Sequence, residues 1–183
     1  MDFSGKNVVV TGGTGALGTA VVGALIDAGA RCTVPYVHDA EMQRFPYGKQ
    51  PDVKLTKVAN LADENEVAKL YAGLAPWASI HIAGGFAMGK VTGTDKAALM
   101  AQLDMNLTSC FLCCRAAVTA MKNGGRIVNV AARPGLEWRS GAGMAAYAVS
   151  KAGVAALTVA LAEEVAKDGI LVNAVAPSIM DTT

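Results

Sequence analysis

A tyrosine and a lysine lie four residues apart in a stretch whose pattern predicts a helix. Tyr147 and Lys151 would face the same side of that helix, about 6 Å apart along its axis. A free phenol has a pKa of about 10 and is a poor acid–base catalyst at neutral pH. Because a neighbouring ammonium stabilises the phenolate, it lowers that pKa and favours proton transfer. A surface tyrosine beside a solvated lysine is the alternative, and the pair taken alone favours it.

A second candidate is the glycine-rich stretch VVVTGGTGALG, between a predicted strand and a predicted helix. Gly12, Gly15 and Gly18 have the spacing G-x-x-G-x-x-G. Such a turn directs backbone N–H groups and the positive end of the helix at a diphosphate. A Cβ at position 12 or 15 would crowd the turn or the phosphate, and one at position 18 the strand–helix contact. A tight turn that binds nothing explains the glycines alone about equally well.

Apolar, strand-like runs alternate with amphipathic helical stretches along the chain. This alternation predicts an α/β fold, a Rossmann-type doubly wound parallel sheet in a single domain of residues 1–183. The predicted strands are 6–11, 30–36, 53–58, 79–83, 125–131 and 169–175, and the predicted helices 16–29, 63–74, 95–122 and 145–168. Ligands bind beyond the carboxyl ends of such strands. Loops predicted there are 12–18, 84–94, 132–144 and 176–183, and a further polar loop is predicted at 39–52.

The composition argues against several classes of protein. The 183 residues are 52% hydrophobic and carry a net charge of +1, which suits one apolar core and provides no basic surface for nucleic acid or membrane. No apolar run is expected to cross a bilayer, and the N-terminus lacks a signal-peptide pattern, so we expect a cytoplasmic protein.

The cysteines are the remaining reactive side chains. Cys110, Cys113 and Cys114 lie within five residues, and Cys32 lies apart from them. Because the sequence has no second cluster of Cys or His, we expect free thiols buried in a reducing compartment and no metal site.

Five motifs follow one another along the chain: T-G-x-x-G-x-x-G, HIAGG, MNL, Y-x-x-x-K and VNAVAPSIMDT. With these motifs in this order, the chain resembles the short-chain dehydrogenase/reductase family over essentially its whole length. The resemblance implies an NAD(P)-dependent oxidoreductase that acts on a small molecule and assembles as a homodimer or homotetramer. The hydride would pass to or from a carbonyl, an alcohol or a quinonoid substrate.

The resemblance also implies roles for particular residues. Tyr147 would be the general acid–base, Lys151 would bind the nicotinamide ribose, and Asn106 would hold a proton-relay water. The implied cofactor-binding residues are Gly12, Thr14, Gly15, Leu17, Gly18, Tyr36, Asn60, Leu61, Ala83, Gly84, Lys151, Pro177, Ile179 and Thr182. Asn60 replaces an aspartate of the family that binds the adenine amino group, and its carbonyl could still accept that hydrogen bond. His81 and Ile82 replace two asparagines, and His81 is expected to cap a buried strand.

The main departure from the family is an alanine where a substrate-polarising Ser or Thr is expected. Ala132 donates no hydrogen bond, and losing one such donor costs on the order of 100-fold or more in rate. One interpretation is a quinonoid substrate, since dihydropteridine reductases also lack the serine and resemble this chain in G-G-x-G-A-L-G and G-M-x-x-Y-x-x-x-K. The other is a catalytically weak or inactive NAD(P)-binding sensor or subunit. Ser140 is expected to face water.

Two further departures concern the cofactor and the length. Tyr36 lies where an acidic residue normally binds the ribose 2′-hydroxyl. Without an acid there, a 2′-phosphate is not repelled and could pair with His38 or Arg44, so we expect NADP in preference to NAD. The chain stops just after the implied nicotinamide contacts, so we expect it to be truncated at its C-terminus relative to the family, with an exposed sheet edge.

Overall fold

The computed structural model describes residues 1–180, and its centre is a six-stranded parallel sheet. The strand order is β3-β2-β1-β4-β5-β6, with β1 Asn7–Thr11, β2 Arg31–Tyr36, β3 Val53–Lys57, β4 Ala78–His81, β5 Gly125–Val130 and β6 Ile170–Val175. The order reverses between β1 and β4, so the loops that follow these two strands open onto a shared crevice. The predicted Rossmann-type α/β fold is confirmed. Residue 182, a predicted cofactor contact, lies outside the described residues.

Helices cover both faces of this sheet. They are α1 Ala16–Asp27, α2 Asp39–Arg44, α3 Glu64–Tyr71, α4 Lys96–Leu103, α5 Ser109–Ala120, α6 Arg133–Leu136 and α7 Ala145–Val165. Side chains alternate between the faces along β1: Val8 and Val10 belong to the apolar core beneath α1, whereas Val9 belongs to the core beneath α3, α5 and α7. Burial on both faces explains why the strand is apolar throughout.

The predicted loop at 39–52 is wrong at its start, because α2 occupies Asp39–Arg44. The chain turns into this helix at His38, whose backbone N–H donates to the Glu41 carboxylate at 2.7 Å. An acidic side chain three residues into a helix that binds the N-cap backbone is a helix-start signal. The polar composition of this stretch predicts a loop, but the interaction between His38 and Glu41 starts a helix there.

The predicted helix at 95–122 is observed with an interruption. Asp95 caps its start by accepting from Ala98 N at 2.8 Å, and a π-helical turn at Asp104–Thr108 separates α4 from α5. Such turns are frequent at functional sites because they displace side chains from the α-helical register. Here the displaced side chain is Asn106. The predicted loop at 132–144 likewise contains α6 and a 3₁₀ turn at Trp138–Gly141.

Two stretches, Lys96–Ala120 and Ala145–Asp168, are long and apolar enough to cross a membrane. The expectation that no apolar run reaches this length is therefore wrong by length and composition. Both stretches pack on the sheet, and each contains a buried polar side chain, Asn106 or Lys151. Core helices in this layer of an α/β fold have the same apolar character.

The β1–α1 turn depends on two glycines for its packing. Gly12 has φ +69°, and a Cβ there would lie 2.6 Å from Ala83 N. A Cβ on Gly18 would lie 2.6 Å from Gly13 Cα and would also collide with the carbonyl oxygen of Gly12. In contrast, a Cβ on Gly15 would meet only Gly12 O, at 3.4 Å. The fold therefore requires the glycines at 12 and 18 but not the one at 15.

We expect Gly18→Ala to lower the free energy of unfolding by about 1–3 kcal/mol, the usual cost of overpacking against atoms that cannot move away. Gly93→Ala is the control, because a Cβ at that position has no atom within 4 Å and should change stability by less than about 0.5 kcal/mol. Urea unfolding of both variants measures the difference. Equal stabilities would contradict the packing described for Gly18.

Candidate active site

A cleft of about 410 Å³ lies between the β1–α1 turn, the end of β2 and the end of β4. Nine of the predicted cofactor residues line it: Gly12, Thr14, Gly15, Leu17, Gly18, Tyr36, Leu61, Ala83 and Gly84. No side chain caps the N-terminus of α1, whose N-cap is Gly15. Free backbone N–H groups and the positive helix end suit an anion. Because Gly15 is not needed for packing, its missing side chain leaves room for that anion, and the cleft fits a dinucleotide.

Four predicted cofactor residues within the described part of the chain are not among those lining this cleft: Asn60, Pro177, Ile179 and Lys151. Asn60 is exposed, and its side-chain carbonyl accepts from Ala62 N at 2.9 Å within a local turn. The carbonyl of Pro177 accepts from Arg133 N at 2.9 Å, and Ile179 is almost fully exposed. Met180 lines the cleft, one position beyond the predicted isoleucine.

A carboxylate that sequence reasoning missed lies at the end of the cleft beside β2. Glu41 lines the wall beside Tyr36 and accepts from Val37 N at 3.2 Å and from Thr14 Oγ1 at 2.5 Å. Burial opposes its ionisation, but these hydrogen bonds and the one from His38 N outweigh burial and hold the pKa of Glu41 below its ordinary value. The group is therefore an anion at neutral pH. Its distance from the end of β2 concealed it in the sequence.

Asn106 joins the loop after β4 to the neighbouring helices by hydrogen bonds. The side chain is 1% exposed. Its Oδ1 accepts from Gly85 N at 3.0 Å, while Nδ2 approaches Gly85 O at 3.0 Å and Gln102 O at 3.2 Å. The same Nδ2 lies 3.1 Å from Ser150 Oγ, which ties the π turn to α7. These contacts use the hydrogen-bonding capacity of the amide, so Asn106 fixes the backbone next to the cleft.

The ammonium group of Lys151 lies next to Gly84, which belongs to the same loop after β4. Lys151 is 6% exposed, and its Nζ donates to Val130 O at 2.7 Å. Burial lowers the pKa of Lys151 below its ordinary value. A Cβ on Gly84 would lie 3.4 Å from this Nζ and 2.5 Å from Asn106 Oδ1. Because Gly84 has no side chain, Lys151 and Asn106 can lie in contact with the wall of the cleft.

Tyr147 lies one helical turn before Lys151 and packs edge-on against Phe86, with ring centroids 5.0 Å apart. The loop after β4 and the segment before α7 meet beside this pair, since Gly89 N donates to Gly143 O at 2.8 Å. Burial raises the pKa of Tyr147 above its ordinary value. This direction is opposite to the lowering expected from Lys151, whose ammonium donates to the Val130 carbonyl.

Within residues 132–144, Ser140 is the one side chain with a hydroxyl that could replace the one Ala132 lacks. Ala132 is 4% exposed at the end of β5, and its neighbour Arg133 begins α6. Ser140, the other candidate, donates its hydroxyl to Glu137 O at 2.7 Å within the 3₁₀ turn. Neither residue therefore offers a free side-chain hydroxyl at the end of β5.

The comparisons with known proteins agree with this geometry. A family profile described as short chain dehydrogenase matches residues 6–183. Similar proteins include 3-oxoacyl-(acyl-carrier-protein) reductase FabG of Rickettsia typhi, 29% identical over 98% of this chain and 75% of that protein. Galactitol 2-dehydrogenase of Rhizobium johnstonii is 33% identical over 98% and 74% of the two chains. 2,3-Dihydroxy-2,3-dihydro-p-cumate dehydrogenase of Pseudomonas putida is 31% identical over 100% and 73%.

The match extends over nearly the whole chain, although these relatives are longer than its 183 residues. Their names, reductases and dehydrogenases alike, agree with the predicted enzyme class. The chain belongs to the short-chain dehydrogenase/reductase family and is an NAD(P)-dependent oxidoreductase of that family.

Proposed function

We propose that the enzyme transfers a hydride between NAD and a small molecule with a conjugated acceptor, with Tyr147 as general acid–base. The observation that supports this most directly is the position of Gly84. This residue lines the dinucleotide cleft, and its bare face meets both Asn106 Oδ1 and Lys151 Nζ. The glycine turn and the Y-x-x-x-K helix therefore border one continuous site.

The bound dinucleotide supplies or accepts the hydride at its nicotinamide ring. Tyr147 gives its phenolic proton to the substrate oxygen in the reducing direction and takes it back in the oxidising direction. Lys151 is a donor for the nicotinamide ribose and stabilises the phenolate that Tyr147 becomes. Asn106 is assigned to a proton-relay water by the family resemblance. Its contacts here support a positioning role, in which it holds Gly84 and Gly85 against the cleft.

The substrate is inferred from what surrounds Tyr147. Ala132 offers no donor to polarise an isolated carbonyl, whereas a quinonoid or otherwise conjugated acceptor needs less help at a single oxygen. Phe86, which packs against Tyr147, is 57% exposed and gives the site an apolar, aromatic wall. The second candidate function is a weak or inactive NAD(P)-binding sensor or subunit, and Ala132 is the observation that favours it.

Tyr147→Phe should lower kcat by about 10²–10⁴-fold, the usual contribution of a general acid–base group, while the affinity for the dinucleotide is retained. Turnover is followed by nicotinamide absorbance with quinones, quinonoid pterins and ketones, and binding by calorimetry. Tyr47→Phe is the matched control, because Tyr47 packs on Phe45, away from the cleft.

Wild-type turnover by the Tyr147→Phe variant would contradict the assignment of the acid–base role. A wild-type protein that binds the dinucleotide but turns over none of these compounds would establish the sensor instead.

The cofactor preference is revised by Glu41. The expectation of NADP rested on the missing acid at Tyr36, but the Glu41 carboxylate lies beside Tyr36 and hydrogen-bonds Thr14 in the glycine turn. An anion there accepts from ribose hydroxyls and repels a 2′-phosphate. His38 and Arg44, the two side chains proposed for a phosphate, are not among the residues lining the cleft. We therefore infer that NAD is preferred.

Glu41→Gln should raise the ratio of kcat/KM for NADP to that for NAD by about tenfold or more, since repulsion between unit charges about 4 Å apart is worth about 1–4 kcal/mol near a protein surface. Asp39→Asn is the control: it removes a charge from the same helix, but Asp39 pairs with Lys57 at 2.8 Å outside the cleft. Steady-state kinetics with both cofactors measures the ratio. Wild-type preference for NADP, or equal shifts in both variants, would refute the role of Glu41.

We also propose that the protein is a homodimer or homotetramer in a reducing cytoplasm. Its relatives are commonly oligomeric, and only 22% of the most apolar stretch of α7 is buried within the chain. Apolar side chains exposed on α5 and α7 are Phe111, Val149 and Val159. These two helices could pair across an interface, which would remove that surface from water. The four cysteines are buried and form no disulfide, as expected in such a compartment.

Light scattering should give at least the mass of a dimer at micromolar concentration. Val149→Asp should shift the protein towards the monomer, because the charge would be buried without a partner in the interface. Val91→Asp is the control on another exposed valine, outside these helices. A wild-type monomer would exclude this assembly and leave the catalytic proposal unaffected.

A further inference from the structure

Four side chains with metal-binding atoms meet beneath the sheet, away from the dinucleotide cleft. They are His81 at the end of β4, Asn129 on β5, and Cys110 and Cys114 on α5. All four are 5% exposed or less. The sulfur and nitrogen atoms of His81, Cys110 and Cys114 lie within 4.8 Å of one another. Neither the proposed hydride transfer nor the dinucleotide site uses any of them.

The separations between these atoms are close to those of a tetrahedral zinc site. His81 Nδ1 lies 3.4 Å from Cys114 Sγ and 2.8 Å from Asn129 Oδ1. Asn129 Oδ1 lies 3.3 Å from Cys110 Sγ and 3.5 Å from Cys114 Sγ. Neighbouring ligands of a tetrahedral zinc ion with ordinary bond lengths are about 3.4–3.8 Å apart. To complete the coordination shell, His81 Nδ1 and Asn129 Oδ1 would move apart by about 0.5 Å or more. Cys110 Sγ, which lies within 4.8 Å of the other two ligand atoms, would close on the same centre.

Hydrogen bonds alone account for the cluster poorly. Asn129 Oδ1 is approached by three donors, the imidazole and two thiols, but a carbonyl oxygen has two lone pairs. If His81 Nδ1 donates its proton to Asn129, its contact with Cys114 is at most a shared and weaker hydrogen bond to the sulfur. A cation at the centre would give every one of these atoms a partner.

Groups around the cluster hold the ligand atoms in the orientation that a metal needs. His81 Nε2 lies 2.8 Å from Ser79 Oγ, which leaves Nδ1 directed at the two cysteines. Thr158 donates its hydroxyl to Val154 O at 2.8 Å and therefore accepts from Asn129 Nδ2 at 2.9 Å. This contact fixes the amide so that Oδ1 faces inwards. Partners of this kind, bound to the second atom of each ligand, orient the ligands of known metal sites.

From this arrangement we propose that His81, Cys110, Cys114 and Asn129 form a closed structural site for Zn²⁺. The ion replaces the two thiol protons, which are released to solvent, so two thiolates and one dication leave the buried site without net charge. No position remains open for water or substrate, so the ion does not take part in the oxidoreductase reaction. Because the ligands come from β4, β5 and α5, the ion is captured as these elements assemble. The ion joins the middle of the sheet to α5, the helix that follows the π turn with Asn106.

The first test is the metal content of the full chain, purified without a polyhistidine tag and refolded under reducing conditions with equimolar zinc. Mass spectrometry of the metals should find about one zinc ion per chain after dialysis. Refolding with Co²⁺ should give the intense visible bands of tetrahedral cobalt and a near-ultraviolet thiolate charge-transfer band. Less than about a tenth of an equivalent of zinc, with no charge-transfer band, would overturn the proposal.

The second test compares two adjacent cysteines. Cys114→Ser should weaken zinc binding by at least about 100-fold, since loss of an outer partner alone costs about 10–100-fold. Cys113→Ser should retain the metal, because Cys113 is equally buried but is not part of the cluster. Zinc that persists in Cys114→Ser lies elsewhere and refutes the site. If Cys114→Ser does not fold, the metal content and cobalt spectrum of the wild-type chain decide.

Discussion

The candidate active site depends on a contact between two backbones. Gly12 in the first βα turn lies so close to Ala83 after β4 that no side chain fits between them. This approach occurs where the strand order reverses between β1 and β4, which is where an open parallel sheet leaves a crevice. With Gly12 in a left-handed conformation, the chain turns sharply enough for α1 to begin at the mouth of that crevice. The N-terminus of α1 then faces the space that we propose for the diphosphate.

Buried polar side chains hold the other half of the site in place. Asn106, Ser150 and Lys151 are each 6% exposed or less, and a buried polar group without partners is costly. Their hydrogen bonds reach Gly85 on the loop after β4, Tyr147 O on α7 and Val130 O on β5. Since the contacts pass between elements, displacing one element would break hydrogen bonds in the others. The contacts of Asn106 and Lys151 therefore fix the position of the loop after β4 and of α7 relative to β5.

The sequence predicted the architecture well because the signals for it are local. β-branched runs such as Val8–Val10 and the glycine spacing after them depend only on neighbouring residues. The π turn around Asn106 was not predictable from periodicity, because a one-residue shift in register leaves the apolar pattern nearly unchanged. Glu41 was missed for a different reason. It lies five residues beyond the end of β2, and only the sharp entry into α2 returns its carboxylate to the place where an acid was expected.

The environment of His81 could not be predicted from the sequence. Its nearest cysteine in the sequence is Cys110, 29 positions later, so no spacing rule connects them. The parallel pairing of β4 with β5 sets His81 opposite Asn129, and α5 then brings two thiols over both. Clusters assembled in this way depend on topology, and single-sequence motifs identify only ligands that share an element.

The two buried polar systems are linked through β5. Val130 accepts from Lys151 Nζ, and the preceding residue, Asn129, directs its side chain at His81 and the two cysteines. Asn106 and Cys110 are likewise one helical turn apart, on the same face of the helix that continues from the π turn. A shift in how α5 packs on the sheet would therefore displace Asn106 and also disturb Asn129, which the two thiols contact and which precedes the carbonyl partner of Lys151. Under the proposed mechanism, the position of that ammonium governs the stability of the Tyr147 phenolate, so the packing beneath the sheet would influence chemistry at its edge without contacting the substrate.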